Sequence, residues 1–282
     1  MKRAFLAMGV VVFLSLTERV QGQWARFANQ TSTRLSAAAN LGTTNPDEKA
    51  FAWGDFDLDG DIDLAVVMKQ PFTTRGTRRN LLLMNQIGVL TDRTNDFATA
   101  TDYAGSQGFL DLTNDRDVIV ADVNGDGWPD LVTATTLSGN AADGTIGQKY
   151  ISHPRIYLNR GNDGEGEWLG FKFEFYVNGD TAIHRIPTMP AEPRFCAVTA
   201  GDVDNDGDLD LYFADYNNGG PRPVDLNDRL WINDGQGKYT DESATRMTVQ
   251  MLTSSFGTSA YFNDINNDGA LDVVRDAINS LA

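Results

Sequence analysis

One nine-residue phrase returns four times in this chain, and it constrains the fold more than any other feature. It reads DFDLDGDID from Asp55, DVNGDGWPD from Asp122, DVDNDGDLD from Asp202 and DINNDGALD from Asp264. All four obey D-x-[DN]-x-D-G-x-x-D, and their starts lie 67, 80 and 62 residues apart. Carboxylates crowded at alternate positions repel one another; two at ~4 Å cost about 4 kcal/mol at an effective dielectric near 20. A glycine at a constant place among them marks a tight turn. The phrase therefore reads as a loop wrapped around something positive.

Calcium suits this spacing. It takes roughly 6–8 oxygen ligands at about 2.3–2.6 Å and favours carboxylates and carbonyls. Side chains at positions 1, 3 and 5 of a tight loop can converge on one point: Asp55, Asp57 and Asp59; Asp122, Asn124 and Asp126; Asp202, Asp204 and Asp206; Asp264, Asn266 and Asp268. Glycine turns position 6 without a steric penalty, and Gly60, Gly127, Gly207 and Gly269 sit there. Position 7 can offer a backbone carbonyl, from Asp61, Trp128, Asp208 and Ala270. Position 9 brings back a carboxylate, from Asp63, Asp130, Asp210 and Asp272. Up to four Ca2+ sites follow. The EF-hand loop shares the first six positions but needs a glutamate at position 12 and flanking helices. Position 12 here is Val66, Thr133, Phe213 and Arg275, followed or preceded by strand-like runs such as LAVV and LYFAD.

The segments between the loops repeat as well. An apolar stretch precedes each loop (AFAWGDF, DVIVADV, FCAVTAGDV, TSAYFNDI) and a second follows it. A third ends in asparagine, at Asn85, Asn159 and Asn233, and after a turn comes a fourth (VLTDRT, FKFEFY, KYTDES). Units of four short strands at this period are propeller blades. The long second unit is attributed to insertions such as TLSGNAADGTIGQ rather than to an added element. RFANQTSTRL, from Arg26, matches KYTDESATRM, from Lys238, in character. It is expected to be a fourth, outer strand that would complete the last blade of a closed ring.

The acidic loop running into a strand, the N-x-G-x-(F/Y)-T-D-x-(T/S) phrase and the blade spacing resemble FG-GAP/VCBS-type repeats. They are similar to the calcium-bearing blades of the integrin α-chain propeller, and to bacterial secreted proteins in which the repeat is joined to an ASPIC/UnbV-type segment. The resemblance covers about residues 23–282. It implies an all-β propeller whose four acidic loops hold calcium. One outer strand, three complete blades and half of a fourth are expected, fifteen strands where a closed four-blade ring needs sixteen. Two readings fit: a piece of a larger ring, or a small ring with one incomplete blade.

The remaining signals bound the function. Lys2 and Arg3 precede an uncharged run from Ala4 to Leu16. That run is shorter than the ~20 residues of a membrane span and suits a signal peptide, with cleavage expected after Gly22. The mature chain, 23–282, is then secreted, extracellular or periplasmic, with no membrane span. Net charge is −16, which argues against a nucleic-acid partner. Cys196 alone can form no intrachain disulfide and is expected in the core. His153 and His184, the two histidines, stand beside no nucleophile signature, and neither H-E-x-x-H nor G-x-S-x-G occurs. Two functions follow: a calcium-stabilised binding or adhesion scaffold for an extracellular protein or carbohydrate, or the propeller part of a larger secreted enzyme. The connections between second and third strands, carrying Arg75, Arg78, Arg79 and Arg222, are the expected partner-binding loops.

Overall fold

The computed structural model describes residues 28–37, 47–69, 78–136, 153–188, 195–215, 227–253 and 257–276. The apolar runs beside the acidic loops are strands, as their β-branched and aromatic content predicts. A helical turn, α1 (Thr31–Arg34), leads into β1 (Leu35–Ser36), and the first unit follows as β2 (Glu48–Gly54), β3 (Asp63–Lys69), β4 (Leu81–Asn85) and β5 (Leu90–Asp92). The turn α2 (Thr94–Phe97), the short β6 (Ala100–Thr101) and a 3-10 turn (Gly108–Leu110) connect to the second unit. This comprises β7 (Asp115–Ala121), β8 (Asp130–Thr135), β9 (Arg155–Asn159) and β10 (Phe171–Phe173). A hairpin, β11 (Tyr176–Val177) and β12 (Asp180–His184), precedes the third unit, β13 (Phe195–Gly201), β14 (Asp210–Asp215), β15 (Arg229–Asn233) and β16 (Tyr239–Asp241). Two more turns, α3 (Ser243–Arg246) and α4 (Val249–Leu252), lead to β17 (Ala260–Asn263) and β18 (Asp272–Arg275).

Successive strands of each unit pair antiparallel, so every acidic loop leaves from the same end of its sheet. The register is the same in all four: Gly54 faces Asp63, Ala121 faces Asp130, Gly201 faces Asp210 and Asn263 faces Asp272. The first strands β2, β7, β13 and β17 pack on one another in chain order. This is the blade arrangement of a β-propeller, with three complete blades and two strands of a fourth in an open arc among the described residues. Alternation along the strands gives each blade two apolar faces. Ala52, Val67 and Met84 of the first blade join Val118, Leu131, Tyr157, Phe213 and Trp231 in one continuous core. Tyr212, Ile232 and Ala260 form a second core between the third and fourth blades. Leu64, Val66 and Leu83 form a third on the far face of the first blade, where Phe51 and Trp53 are half exposed. Cys196 is buried in β13.

Three features depart from the sequence expectations. The N-terminal segment does not complete the last blade among the described residues: it folds as α1 and then β1, which pairs in parallel with β5 at the outer edge of the first blade. The match to KYTDESATRM reflects the helical turns, since TSTR and SATR both form one. Secondly, β6 crosses to the second blade in the same way and pairs in parallel with β10. A fifth, outer strand borrowed from the preceding segment therefore occurs twice. Thirdly, the long second unit does hold an added element, the β11–β12 hairpin. Its turn is Asn178-Gly179, both at positive φ (49° and 77°), the Asn-Gly pairing that type I′ hairpin turns demand. β6 and the two strands of this hairpin bring the described strands to eighteen rather than fifteen, the N-terminal outer strand being already among the fifteen. The signal segment 1–22, most of the three expected partner-binding connections, and Arg75 and Arg222 lie outside the described residues.

The T-D-x-(T/S) phrase acquires a physical role. Asp92 Oδ1 accepts from the backbone N–H (3.1 Å) and hydroxyl (2.7 Å) of Thr94, whose Oγ1 accepts from the Leu82 N–H at 2.9 Å. Asp241, Ser243 and Leu230 repeat the arrangement in the third blade. The phrase starts the helical turn and ties it to the third strand.

Candidate metal centres

The four acidic loops share one backbone path. Their position-6 glycines have φ of +95°, +87°, +99° and +88°. Position 4 is left-handed too, in Leu58, Gly125, Asn205 and Asn267. The turn is sealed by the aspartate at position 1, whose Oδ2 accepts from the position-6 N–H: Asp55 from Gly60 (3.0 Å), Asp122 from Gly127 (2.8 Å), Asp202 from Gly207 (3.0 Å) and Asp264 from Gly269 (2.9 Å). The position-5 carboxylate, Asp59, Asp126, Asp206 or Asp268, accepts from the N–H of the position-7 residue, Asp61, Trp128, Asp208 or Ala270, at 2.8–3.0 Å. The position-9 aspartate is the first residue of the second strand. Its Oδ2 accepts from the position-2 N–H: Asp63 from Phe56, Asp130 from Val123, Asp210 from Val203 and Asp272 from Ile265.

Two loops bring three carboxylates together. In the first, Asp55, Asp57 and Asp63 each place an oxygen within 4.8 Å of the others; in the third, Asp202, Asp204 and Asp210 do the same. Asp55 Oδ1 and Asp204 Oδ1 are buried there and accept no hydrogen bond. A buried carboxylate oxygen without a donor is costly unless a cation satisfies it. Hard, all-oxygen donor sets of this kind suit calcium, so the residues present fit that ion. Asp59 and Asp206 stand outside these two clusters and cap position 7 instead. In the second and fourth loops an asparagine holds position 3. Asn124 Nδ2 donates to Asp126 Oδ2, and Asn266 Nδ2 to Asp268 Oδ2, both at 2.9 Å. The amide thus donates to a carboxylate where the first and third loops place another carboxylate.

The ionisation of the clusters carries the same signature. Burial pushes the carboxyls of Asp63 and Asp130 up to about 7, against backbone N–H donors that pull the other way. Burial also raises Asp210. Asp57 is raised by burial and then by the charges of Asp59 and Asp55. In every one of these groups burial disfavours the negative form first, and neighbouring aspartates add to it.

One set of residues had a visible position in the sequence but no assigned role. The asparagines ending the third strands sit beside the loops. Their backbone N–H groups donate to the second oxygen of position 9: Asn85 to Asp63 Oδ1 (2.7 Å), Asn159 to Asp130 Oδ1 (2.7 Å) and Asn233 to Asp210 Oδ1 (2.9 Å). Their common place at the end of a third strand was the signal; the partner was not readable, because it lies 22–29 residues earlier. Of the histidines, His153 is buried just before β9, and His184 ends β12 and packs on the rings of Phe175 and Tyr176.

The model of the FG-GAP-like repeat matches residues 122–213 and again 202–274, together more than half of the chain. Each match starts on an acidic loop, at Asp122 and at Asp202. None of the curated proteins compared matches the chain.

Proposed function

The chain belongs to the FG-GAP-like repeat family, and from that premise we propose that it is a secreted, calcium-stabilised interaction scaffold. The observation that carries the reading is the convergence of three carboxylates in the first and third loops around a buried oxygen that accepts no hydrogen bond. Asp55, Asp57, Asp59 and Asp63, with Asp202, Asp204, Asp206 and Asp210, would hold calcium in those loops. Asp122, Asn124, Asp126 and Asp130, with Asp264, Asn266, Asp268 and Asp272, would hold it with one ligand charge fewer. Asp61, Trp128, Asp208 and Ala270 would add backbone carbonyls. Bound calcium supplies the positive charge that cancels carboxylate repulsion in a strained turn; the metal's role is structural.

The partner, an extracellular protein or carbohydrate, would meet the other end of the blades. Antiparallel pairing places the ends of the second-to-third-strand connections away from the calcium loops: Lys69 and Arg78, Thr136 and His153, Asp215 and Asn227. Loops on a rigid scaffold are where binding concentrates. The apolar run Ala4–Leu16 supports export, and among the described residues no helix is long and apolar enough to cross a membrane. Calorimetric titration of chelator-treated protein tests the metal reading. Heat of binding for calcium, with weaker binding of magnesium, is expected; no binding of calcium at millimolar concentration overturns it.

A further inference from the structure

The asparagines at the ends of the third strands do more than brace their own loops. Asn159 Nδ2 donates to the carbonyl of Pro129 in its own loop (3.2 Å) and to that of Phe56 in the preceding blade (2.7 Å). Asn233 Nδ2 donates likewise to Leu209 (3.0 Å) and, one blade back, to Val123 (2.8 Å). Phe56 and Val123 are the position-2 residues of the first and second acidic loops. Both are buried, as are both asparagines. The same two residues donate their backbone N–H groups to Asp63 and Asp130.

A continuous path results, buried as far as Asp210. It runs from Asp63 through the backbone of Phe56 to Asn159, then Asp130, the backbone of Val123, Asn233, Asp210 and the half-buried Val203 N–H. It enters and leaves each loop at position 9, whose carboxylate is a calcium ligand in the proposed function, and it crosses from blade to blade only through the asparagine amide. Satisfied buried hydrogen bonds of this kind hold the groups they join in one geometry. Asn85 supplies a natural contrast. It makes the same bonds inside its own blade, to Asp63 and to the Ile62 carbonyl (3.0 Å), but its amide donates to no other blade among the described residues.

We propose that Asn159 and Asn233 are positioning residues that couple neighbouring calcium loops, so that filling the loop of one blade tightens the loop of the blade next to it. The inference rests on the calcium reading above. Coupling between binding sites is reciprocal, so it operates in both directions along the arc. The first and third loops, richest in charge, would then help to fill the second loop, which lies between them and has asparagine instead of aspartate at position 3.

The test follows the amides of Gly60, Gly127, Gly207 and Gly269 in glycine-labelled full-length protein by NMR during calcium titration. Each donates to the position-1 aspartate of a different loop, so each reports one site. Asn159→Asp keeps the acceptor oxygen used by the Gly161 N–H and Trp168 Nε1 and removes only the donor. It is expected to weaken the Gly60 loop by roughly three- to tenfold, the scale of one lost net hydrogen bond. Asn233→Asp is expected to do the same to the Gly127 loop. The added negative charge attracts calcium at a distance, so weakening would come from the lost donor and from the acceptor oxygen left facing the Phe56 carbonyl. Asn85→Asp adds the same charge beside the first loop and leaves both cross-blade bonds in place, so it should not weaken the Gly127 or Gly207 loop. Asp57→Ala, which leaves the hydrogen-bonded path intact, should weaken the Gly127 loop by a similar factor, and it decides the matter if the asparagine variants fail to fold. Calcium shifts at the glycines with Gly60 unmoved by Asn159→Asp, or with Gly127 unmoved by Asp57→Ala, overturn the coupling alone. No calcium shift at any glycine overturns the calcium reading and the coupling with it.

Discussion

Leu58 and Ile87 occupy left-handed backbone, with φ of 57° and 55°, and both side chains project into solvent. The left-handed region costs a residue with a Cβ about 1–2 kcal/mol, and asparagine or glycine less. The other three acidic loops use glycine or asparagine at the position of Leu58. Leu58→Asn and Ile87→Asn are each expected to raise stability by about 1 kcal/mol, read as a higher urea midpoint; a lower midpoint for Leu58→Asn would show that its side chain makes a contact worth more than the strain. Titration belongs to this scale too. Asp63 and Asp130 titrate at about 7 in the folded protein, against 3.8 for an ordinary aspartate. Between those values the metal-free folded state holds protons that the unfolded chain has released. Stability from these groups is therefore present at low pH and lost as pH rises from about 4 to 7. Calcium competes with the same protons, so its affinity should climb across the same interval. Chelated protein should lose urea resistance from pH 5 to 7.5, and the loss should shrink in Asp63→Asn and Asp130→Asn. An undiminished slope in both variants would place its origin elsewhere.

The acidic loop and the strand that follows it act as one element, because the position-9 aspartate is the first strand residue and accepts the N–H of position 2 in the loop. Charge count then orders the four sites. The loops from Asp55 and Asp202 carry aspartate at position 3, while those from Asp122 and Asp264 carry an uncharged asparagine whose amide donates to a neighbouring carboxylate. Affinity rises with ligand charge when geometry is similar. Asp57→Ala or Asp204→Ala should therefore remove more calcium-dependent stability than Asn124→Ala or Asn266→Ala. Melting with and without chelator on the four variants measures this, and a reversed order would refute the charge-count argument. Asp204 has a further tie, an ion pair with Arg246 at 3.1 Å on the turn α3. Its loss in Asp204→Ala is present with or without calcium and so cancels from the comparison.

On the scale of the whole molecule, the α-helical segments among the described residues are single turns of four residues and the cores lie between sheets. Calcium that binds the folded loops and not the unfolded chain adds about 2.7 kcal/mol per site at a hundred times its dissociation constant. Chelation should accordingly lower the melting temperature markedly. Magnesium should restore it poorly, since it demands a tighter octahedral shell than a loop of this size offers. An unchanged melting temperature on chelation would remove calcium from the account of this fold. Far-ultraviolet circular dichroism should stay β-type throughout.

The sequence by itself determined the blade count, the strand-loop-strand unit and which residues turn the acidic loops. These follow from local rules: an alternating apolar period, a glycine that must turn, carboxylates at a spacing that one ion can gather. Tertiary structure alone decided the rest. The segment from Arg26 resembled an outer strand and became a helical turn followed by a strand of another blade, because parallel pairing of β1 with β5 spans more than fifty residues and leaves no local period. The Asn178-Gly179 hairpin was legible in principle, being local, but the acidic repeat outweighed it. Asn159 and Asn233 were visible as strand ends, yet their amides bind carbonyls 103 and 110 residues earlier. A hydrogen bond across two blades is a consequence of how the blades stack, and no spacing within one repeat contains it.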